Sequence, residues 1–308
     1  MSIIFEKVAL LGIGHIGSSM AHAIRRAGAA AHIAGYTSRA ETLERARAGG
    51  FADSLHGDVV SCVKDADLVV LATPVGTFAA IAEQITPHLK QGAILSDVGS
   101  VKGAVIRDVG PHVPEGVHFI PAHPIAGTEQ SGPESGFAEL FDGRWCILTP
   151  PPGTDAAALE KLKSFWRQLG SHVEVMDARH HDLVLAITSH VPHLIAYNIV
   201  GTADDLETVT EGEVIKYSAG GFRDFTRIAA SDPTMWRDVF LNNREAVLEV
   251  LGRFSEDLSA LQRSIRWGDG EALFNLFTRT RAIRRSIIDA GQDTAAADFG
   301  RGKKGKGE

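Results

Sequence analysis

The chain has 308 residues, 44% apolar and 22% charged. These are the proportions of a globular protein and exclude a disordered, collagen-like or coiled-coil chain. Thirty-one Lys and Arg against 38 Asp and Glu give a net charge of −7, so no basic excess exists to neutralise a nucleic acid. The length predicts about two domains, and two cysteines are too few for a disulfide framework or a cysteine-based zinc site.

The first residues are apolar but carry Glu6 and Lys7 and run into glycines, which is not the pattern of a signal peptide. Strands are then predicted over 7–13, 31–36, 68–73, 93–97, 118–122, 145–149 and 172–176. Helices are predicted over 16–27, 40–48, 78–88 and 155–169. Alternation of this kind marks a parallel sheet covered by helices. After Asp177 only helical periods follow, over 179–202, 204–217, 233–267 and 270–289. The expected fold is therefore α/β: a Rossmann-type dinucleotide-binding domain over 1–178, an all-α domain over 179–292, and a disordered tail over 293–308. The longest apolar stretch, 183–200, holds His190, Pro192, His193 and Asn198. These are costly in lipid, so neither a membrane span nor a membrane partner is expected, and the localisation read from the sequence is cytoplasmic.

Gly12-x-Gly14-x-x-Gly17 follows the first strand and opens the first helix. The first glycine permits the tight turn, the second lets the backbone approach a pyrophosphate, and the third allows helix and strand to pack. Gly12, Gly14, Ile16 and Gly17 are the expected phosphate contacts, at a helix N-terminus whose amides favour anions. An NAD site usually has an acid at the end of the second strand. Here that strand ends in Thr37, Ser38 and Arg39, which can receive the 2′-phosphate of NADP, or Arg39 is only a solvated residue of the next helix. Thr73-Pro74 and Asp97-x-Gly99-Ser100-x-Lys102 fall at strand ends, where they either line the nicotinamide or are ordinary turns.

His123-Pro124 follows an apolar strand. A histidine there can take a hydroxyl proton while hydride leaves the same carbon, because its ordinary pKa of about 6.5 suits general-base work; the alternative is a hydrogen-bonded loop histidine. His190-x-x-His193 puts two rings on one helix face, near His180, His181 and Asp182, with Pro192 kinking the helix. The pair lacks the His-Glu-x-x-His pattern of zinc enzymes, and no metal is expected. The run 220–227, Gly-Gly-Phe-Arg-Asp-Phe-Thr-Arg, reads as a loop with arginines fit to grip a carboxylate.

Together, Asp97-Val98-Gly99-Ser100-Val101-Lys102, the run 123–129, His190-Val191-Pro192-His193, the run 220–229 and Asp232-Pro233-Thr234-Met235-Trp236 resemble the prephenate/arogenate (cyclohexadienyl) dehydrogenase family. The resemblance spans about 5–290. It implies oxidative decarboxylation of prephenate to 4-hydroxyphenylpyruvate, or of arogenate to tyrosine, with NAD or NADP; the missing acid favours acceptance of NADP. It further implies His123 as the catalytic histidine bonded to the ring hydroxyl and Ser100 as a residue that helps orient that site. Arg227 would grip a substrate carboxylate, and Glu129, His193 and Trp236 would line the substrate pocket. The helical domain would pair two copies in a homodimer, with a small-molecule substrate and no nucleic-acid partner. With the glycine loop at residue 12 and the last residue at 308, neither an N-terminal chorismate mutase domain nor a C-terminal ACT domain is expected.

Two other readings compete. A 3-hydroxyacid or 6-phosphogluconate-type dehydrogenase would need a catalytic lysine in the helical half, where Lys216 is the only lysine between Lys163 and Lys303. A non-catalytic dinucleotide sensor would need neither His123 nor Arg227.

Overall fold

The computed structural model describes residues 2–128, 130–207, 217 and 219–289. β1 (Phe5–Leu11) is central because Val8 to Leu11 are apolar and buried on both faces of the strand. Then come α1 (His15–Ala27), β2 (Ala30–Tyr36), α2 (Ala40–Gly49), β3 (Ser54–His56), α3 (Val59–Val63) and β4 (Leu68–Leu71). They are followed by α4 (Phe78–Ile85), β5 (Ile94–Asp97), α5 (Gly103–Val109) and β6 (His118–Phe119). All six strands are parallel, in the order β3-β2-β1-β4-β5-β6. This is the expected Rossmann-type arrangement. The chain winds outward in opposite directions from β1 and β4, and the crevice for a ligand lies outside the carboxyl ends of those two strands.

Three short elements escape a periodicity reading. β3, α3 and α5 have three, five and seven residues. α3 is set by its cap, the Asp58 carboxylate accepting from Ser61 N at 2.8 Å.

The strand expected over 118–122 is in fact two. Pro121 has no N–H to extend the ladder, and its carbonyl instead accepts from Thr149 N at 2.9 Å. The chain thus leaves the large sheet after β6, and β7 (Ala122–Pro124) joins a second sheet with β8 (Trp145–Leu148) and β9 (His172–Val175). His123 therefore lies within a strand of this small sheet rather than after a strand of the large one. α6 (Ala156–Gln168) connects β8 and β9, capped by the Asp155 carboxylate.

Helices follow. The helix expected over 179–202 is α7 (Ala178–Leu185), a π-helical stretch Ala186–His190, and α8 (Val191–Glu207). Pro192 lacks an N–H and crowds the carbonyl of Thr188, four residues back, so the ladder widens in that turn. Of the helix expected over 204–217, residues 204–207 end α8 and 208–216 lie outside the described residues. The run expected as a loop is instead helical: α9 (Gly220–Thr226) and a 3-10 turn, Arg227–Ala230. Both its glycines fall in the first turn, and 222–226 holds no breaker. The helix expected over 233–267 is α10 (Pro233–Asn242) and α11 (Arg244–Trp267), broken at Asn243. α12 (Gly270–Asp289) ends the described chain.

The chain forms two compact units, Met1–Val250 and Leu251–Glu308. In the first, Leu10, Ile24, Phe141 and Trp166 belong to one buried cluster. Leu11, Phe78 and Leu95 form another, which Trp236 and Val239 of α10 complete. In the second, Leu258, Ile265, Trp267, Phe274 and Phe277 are exposed. Among the described residues one helical stretch, Ala178–Leu206, is long and apolar enough to cross a membrane by length and composition alone, as the core helix of a soluble protein also is. Its polar residues His181, Asp182 and His190 are nevertheless buried inside the protein.

Candidate active site

The glycine loop owes its shape to the backbone. Gly12 has φ +112°, and a Cβ there would stand 2.6 Å from the Ala72 carbonyl carbon. A Cβ on Gly17 would stand 1.9 Å from the Gly12 oxygen. A Cβ on Gly14 would meet nothing within 4 Å, because Gly14 faces open space at the head of α1. The first turn of α1 holds no acid and Gly14 offers no side-chain cap, so its amides are free to take an anion. These residues fit the pyrophosphate of NAD(P). Ile16 packs partly against the core. His15, which sequence reasoning passed over, ties the loop to the segment after β7: its Nδ1 lies 3.0 Å from Ser135 Oγ and its Nε2 3.3 Å from Thr128 Oγ1.

Thr37, Ser38 and Arg39 follow β2. Thr37 Oγ1 accepts from Arg39 N at 3.3 Å, and Arg39 is the exposed N-cap of α2. Thr73 and Pro74 follow β4; the Thr73 and Thr77 hydroxyls are hydrogen-bonded at 2.8 Å.

Beyond β5 the polar groups are buried. Lys102 Nζ pairs with Asp97 and donates to Ala122 O at 2.6 Å; neither side chain is exposed. Asp97 also accepts from Gly99 N at 2.7 Å and from Ala122 N at 3.1 Å. Burial pushes the Asp97 carboxyl up and the Lys102 ammonium down, and their mutual attraction opposes both shifts. The pair fixes the Gly99–Ser100 turn and anchors the residue next to His123.

His123 is buried, its Nδ1 2.8 Å from His181 Nε2. His181 Nδ1 lies 2.8 Å from Asp182 Oδ1. The Asp182 carboxylate also accepts from Lys102 N at 2.7 Å and Gly103 N at 2.8 Å. Burial, then the charges of His181, Lys102 and His190, hold the His123 pKa well below 6.5, so the ring is neutral at pH 7.

Asn243, at the break between α10 and α11, donates to Asp182 O at 2.8 Å and to His190 Nδ1 at 3.0 Å. Burial pushes His190 down to about 4, and its ring lies beside the Ser100 backbone. The His193 ring stacks on Trp236 at 3.7 Å and 25°, and the His190 ring meets Trp236 edge-on at 6.1 Å. His190 Nε2 and Trp236 Nε1 are buried and find no hydrogen-bond partner among the described residues. Burial lowers the His193 pKa, and the charge of Arg227 contributes to the same shift. Arg227 is thus near His193, in the 3-10 turn that the bond from Tyr197 Oη to Ser231 O, 2.7 Å, helps hold against α8.

His123, Ser100, His193, Trp236 and Arg227 are therefore linked through one cluster; Glu129 lies outside the described residues. Among the described residues no group of three or more His, Cys, Asp or Glu side chains is placed to hold a metal ion. Sequence reasoning missed His181, Asp182, His190 and Asn243 as site members. Their only signal was the His-His-Asp run 180–182 beside the His-x-x-His pair. Neither reveals which side chains meet.

The prephenate dehydrogenase nucleotide-binding domain family matches residues 20–175, and the dimerization domain of the same family matches 177–279. The chain is 39% identical over 284 residues to the cyclohexadienyl dehydrogenase of Zymomonas mobilis, covering 92% of this chain and 97% of that one. The crystal structure of prephenate dehydrogenase from A. aeolicus with hydroxyphenyl propionate and NAD+ superposes with a TM-score of 0.86 at 36% identity, covering 93% of this chain and 99% of that one. The Synechocystis arogenate dehydrogenase gives a TM-score of 0.76 at 26% identity, over 92% of this chain and 100% of that one. Matched in both domains, in order and over most of its length, this chain belongs to the prephenate dehydrogenase family of NAD(P)-binding oxidoreductases.

Proposed function

We propose that the protein catalyses the oxidative decarboxylation of prephenate to 4-hydroxyphenylpyruvate, of arogenate to tyrosine, or of both. The observation that carries this reading is His123: a neutral imidazole in a buried histidine cluster, paired through Nδ1, whose neighbour Ala122 is bonded to Asp97 at the carboxyl end of β5. NAD or NADP, when bound, supplies the hydride acceptor. His123 takes the proton from the substrate hydroxyl as hydride leaves the same carbon. Ser100 orients the hydroxyl, and Arg227 grips a substrate carboxylate with a charge-assisted fork. His193 and Trp236, with Glu129, line the pocket. Loss of the ring carboxylate as CO2 makes the ring aromatic and the reaction irreversible, so the protein's task is to orient and polarise. Relatives named for both substrates support either choice.

NADP is favoured as cofactor by the exposed Arg39 beside Thr37 and by the absence of an acid there. The domain boundary is placed at 178/179, just after β9. A homodimer forms through the helical domain, whose exposed apolar side chains Leu258, Trp267, Phe274 and Phe277 exceed what a lone helix pair keeps in water; sedimentation at micromolar protein would show a dimer, and a monomer would refute it. A cytoplasmic setting suits Cys62 and Cys146, both free and buried, with burial pushing Cys62 up to about 12.

The test is an assay of purified protein with prephenate and arogenate, each with NAD and NADP, read as reduced nicotinamide absorbance. Turnover in at least one combination is expected, with NADP accepted. No turnover in any of them overturns the proposal.

A further inference from the structure

A neutral imidazole carries one proton on either ring nitrogen, and only the bare nitrogen is a base. In His123, Nδ1 faces His181 Nε2 at 2.8 Å, so one of these nitrogens donates to the other. The direction is decided on the far side of His181. There Nδ1 meets Asp182 Oδ1 at 2.8 Å, while the same carboxylate accepts from the Lys102 amide on Oδ1 and the Gly103 amide on Oδ2. A carboxylate surrounded by three donors is an acceptor only. Burial raises the Asp182 pKa, but the His181 bond and the two amides outweigh it and hold the carboxyl below its usual range. His181 is itself neutral, its pKa lowered by burial. Its proton therefore sits on Nδ1, towards Asp182, and its bare Nε2 accepts from His123 Nδ1–H.

We propose that His181 and Asp182 are positioning residues that hold the His123 proton on Nδ1, so that Nε2 is the bare nitrogen presented to the substrate hydroxyl. The inference rests on His123 being the base. When the hydroxyl O–H breaks, its proton forms the new Nε2–H bond, and the electron pair of the C–H bond leaves as hydride to the nicotinamide. The imidazolium that results still donates Nδ1–H to His181, whose neutral ring stands between that charge and the Asp182 carboxylate. No proton moves beyond His123. The Lys102 ammonium also acts on His123 and opposes its positive charge, which makes a carboxylate-backed acceptor behind the ring the more useful. Asp182 has a second task, because its bonds to the Lys102 and Gly103 amides fix the turn that carries Ser100.

Two measurements test the proposal. In the full chain with 15N-labelled histidine, the His123 resonances, assigned by their disappearance in His123→Asn, should show a protonated Nδ1 and a bare Nε2 near pH 7. The reverse pattern would overturn the proposal. In kinetics, His181→Leu removes the acceptor, whereas the side-chain carbonyl of His181→Gln can still accept from Nδ1–H. The leucine variant should lose about 10²-fold in kcat, the lower range of a general base's contribution, with KM and nucleotide Kd near wild type. The glutamine variant should regain about tenfold of that loss. Equal kcat in the two variants, or an undiminished kcat in His181→Leu, contradicts it. Should neither variant fold, the tautomer in the unaltered protein decides alone. Wild-type turnover in His123→Asn would remove the functional reading itself, whereas a reversed tautomer with an inactive His123→Asn removes only the role given to His181 and Asp182.

Discussion

The glycine loop follows β1 of the large sheet, and the histidine cluster joins the end of β5 in that sheet through Asp97, but the two are held by opposite means. The loop is backbone: Gly12 at φ +112°, with no room for a Cβ there or on Gly17, and open space in front of Gly14. No side chain of its glycines does anything. The cluster is side chains from residues as far apart as Asp97 and Asn243, nearly all buried and charged or polar. Steric exclusion over six residues shapes the first. Long-range satisfaction of buried polar groups shapes the second, where losing one partner leaves another stranded.

The largest expected effect lies in the cluster. His123→Asn should lower kcat by about 10²–10⁴-fold, the range for losing a general base, with nucleotide Kd unchanged because the loop is untouched. Near-normal turnover would separate the cluster from the chemistry. Next comes Lys102→Met, which leaves Asp97 as an uncompensated buried charge; breaking such a pair costs about 3–5 kcal/mol. Urea unfolding should show that loss, and an unchanged midpoint would mean the pair is not the anchor of β7 described above.

How legible each region was follows from the same contrast. The glycine spacing, the strand before it and the helix after it identified the loop, because its constraint is local. The alternation of strands and helices likewise disclosed the large sheet. Pro121, which splits a predicted strand, and Pro192, which widens a predicted helix, were visible as residues, but their outcomes depended on where their neighbours found partners. His181 and Asp182 were visible only as part of the His-His-Asp run 180–182, which does not say what they touch. Their significance arises from His123, 58 residues earlier in the chain, and from the amides of Lys102 and Gly103. The helical run at Gly220–Thr226 was read as a loop because two glycines suggested a break that the fold does not make.

Smaller effects probe the two regions in turn. Arg227→Ala should raise the substrate KM about ten- to a hundredfold, the loss of a charge-assisted contact of about 1.5–3 kcal/mol, with kcat less changed. An unaltered KM would place the arginine away from the substrate. Gly14→Ala should leave thermal stability unchanged, since its backbone angle of φ −71° suits alanine and its Cβ meets no protein atom. It should weaken nucleotide binding by about 1–3 kcal/mol, as overpacking does. A drop in stability with full nucleotide affinity would reverse the roles assigned to this loop.

The pH dependence of kcat/KM tests the central claim most directly. The base must be neutral to accept a proton, and burial above all, with the nearby Lys102 ammonium adding to it, holds the His123 pKa well below 6.5. Activity should therefore persist as pH falls through 6.5 and decline only below it, and that acid limb should vanish in His123→Asn. An acid limb at or above 6.5, or one that survives unchanged in His123→Asn, would contradict the assignment of His123 as the base.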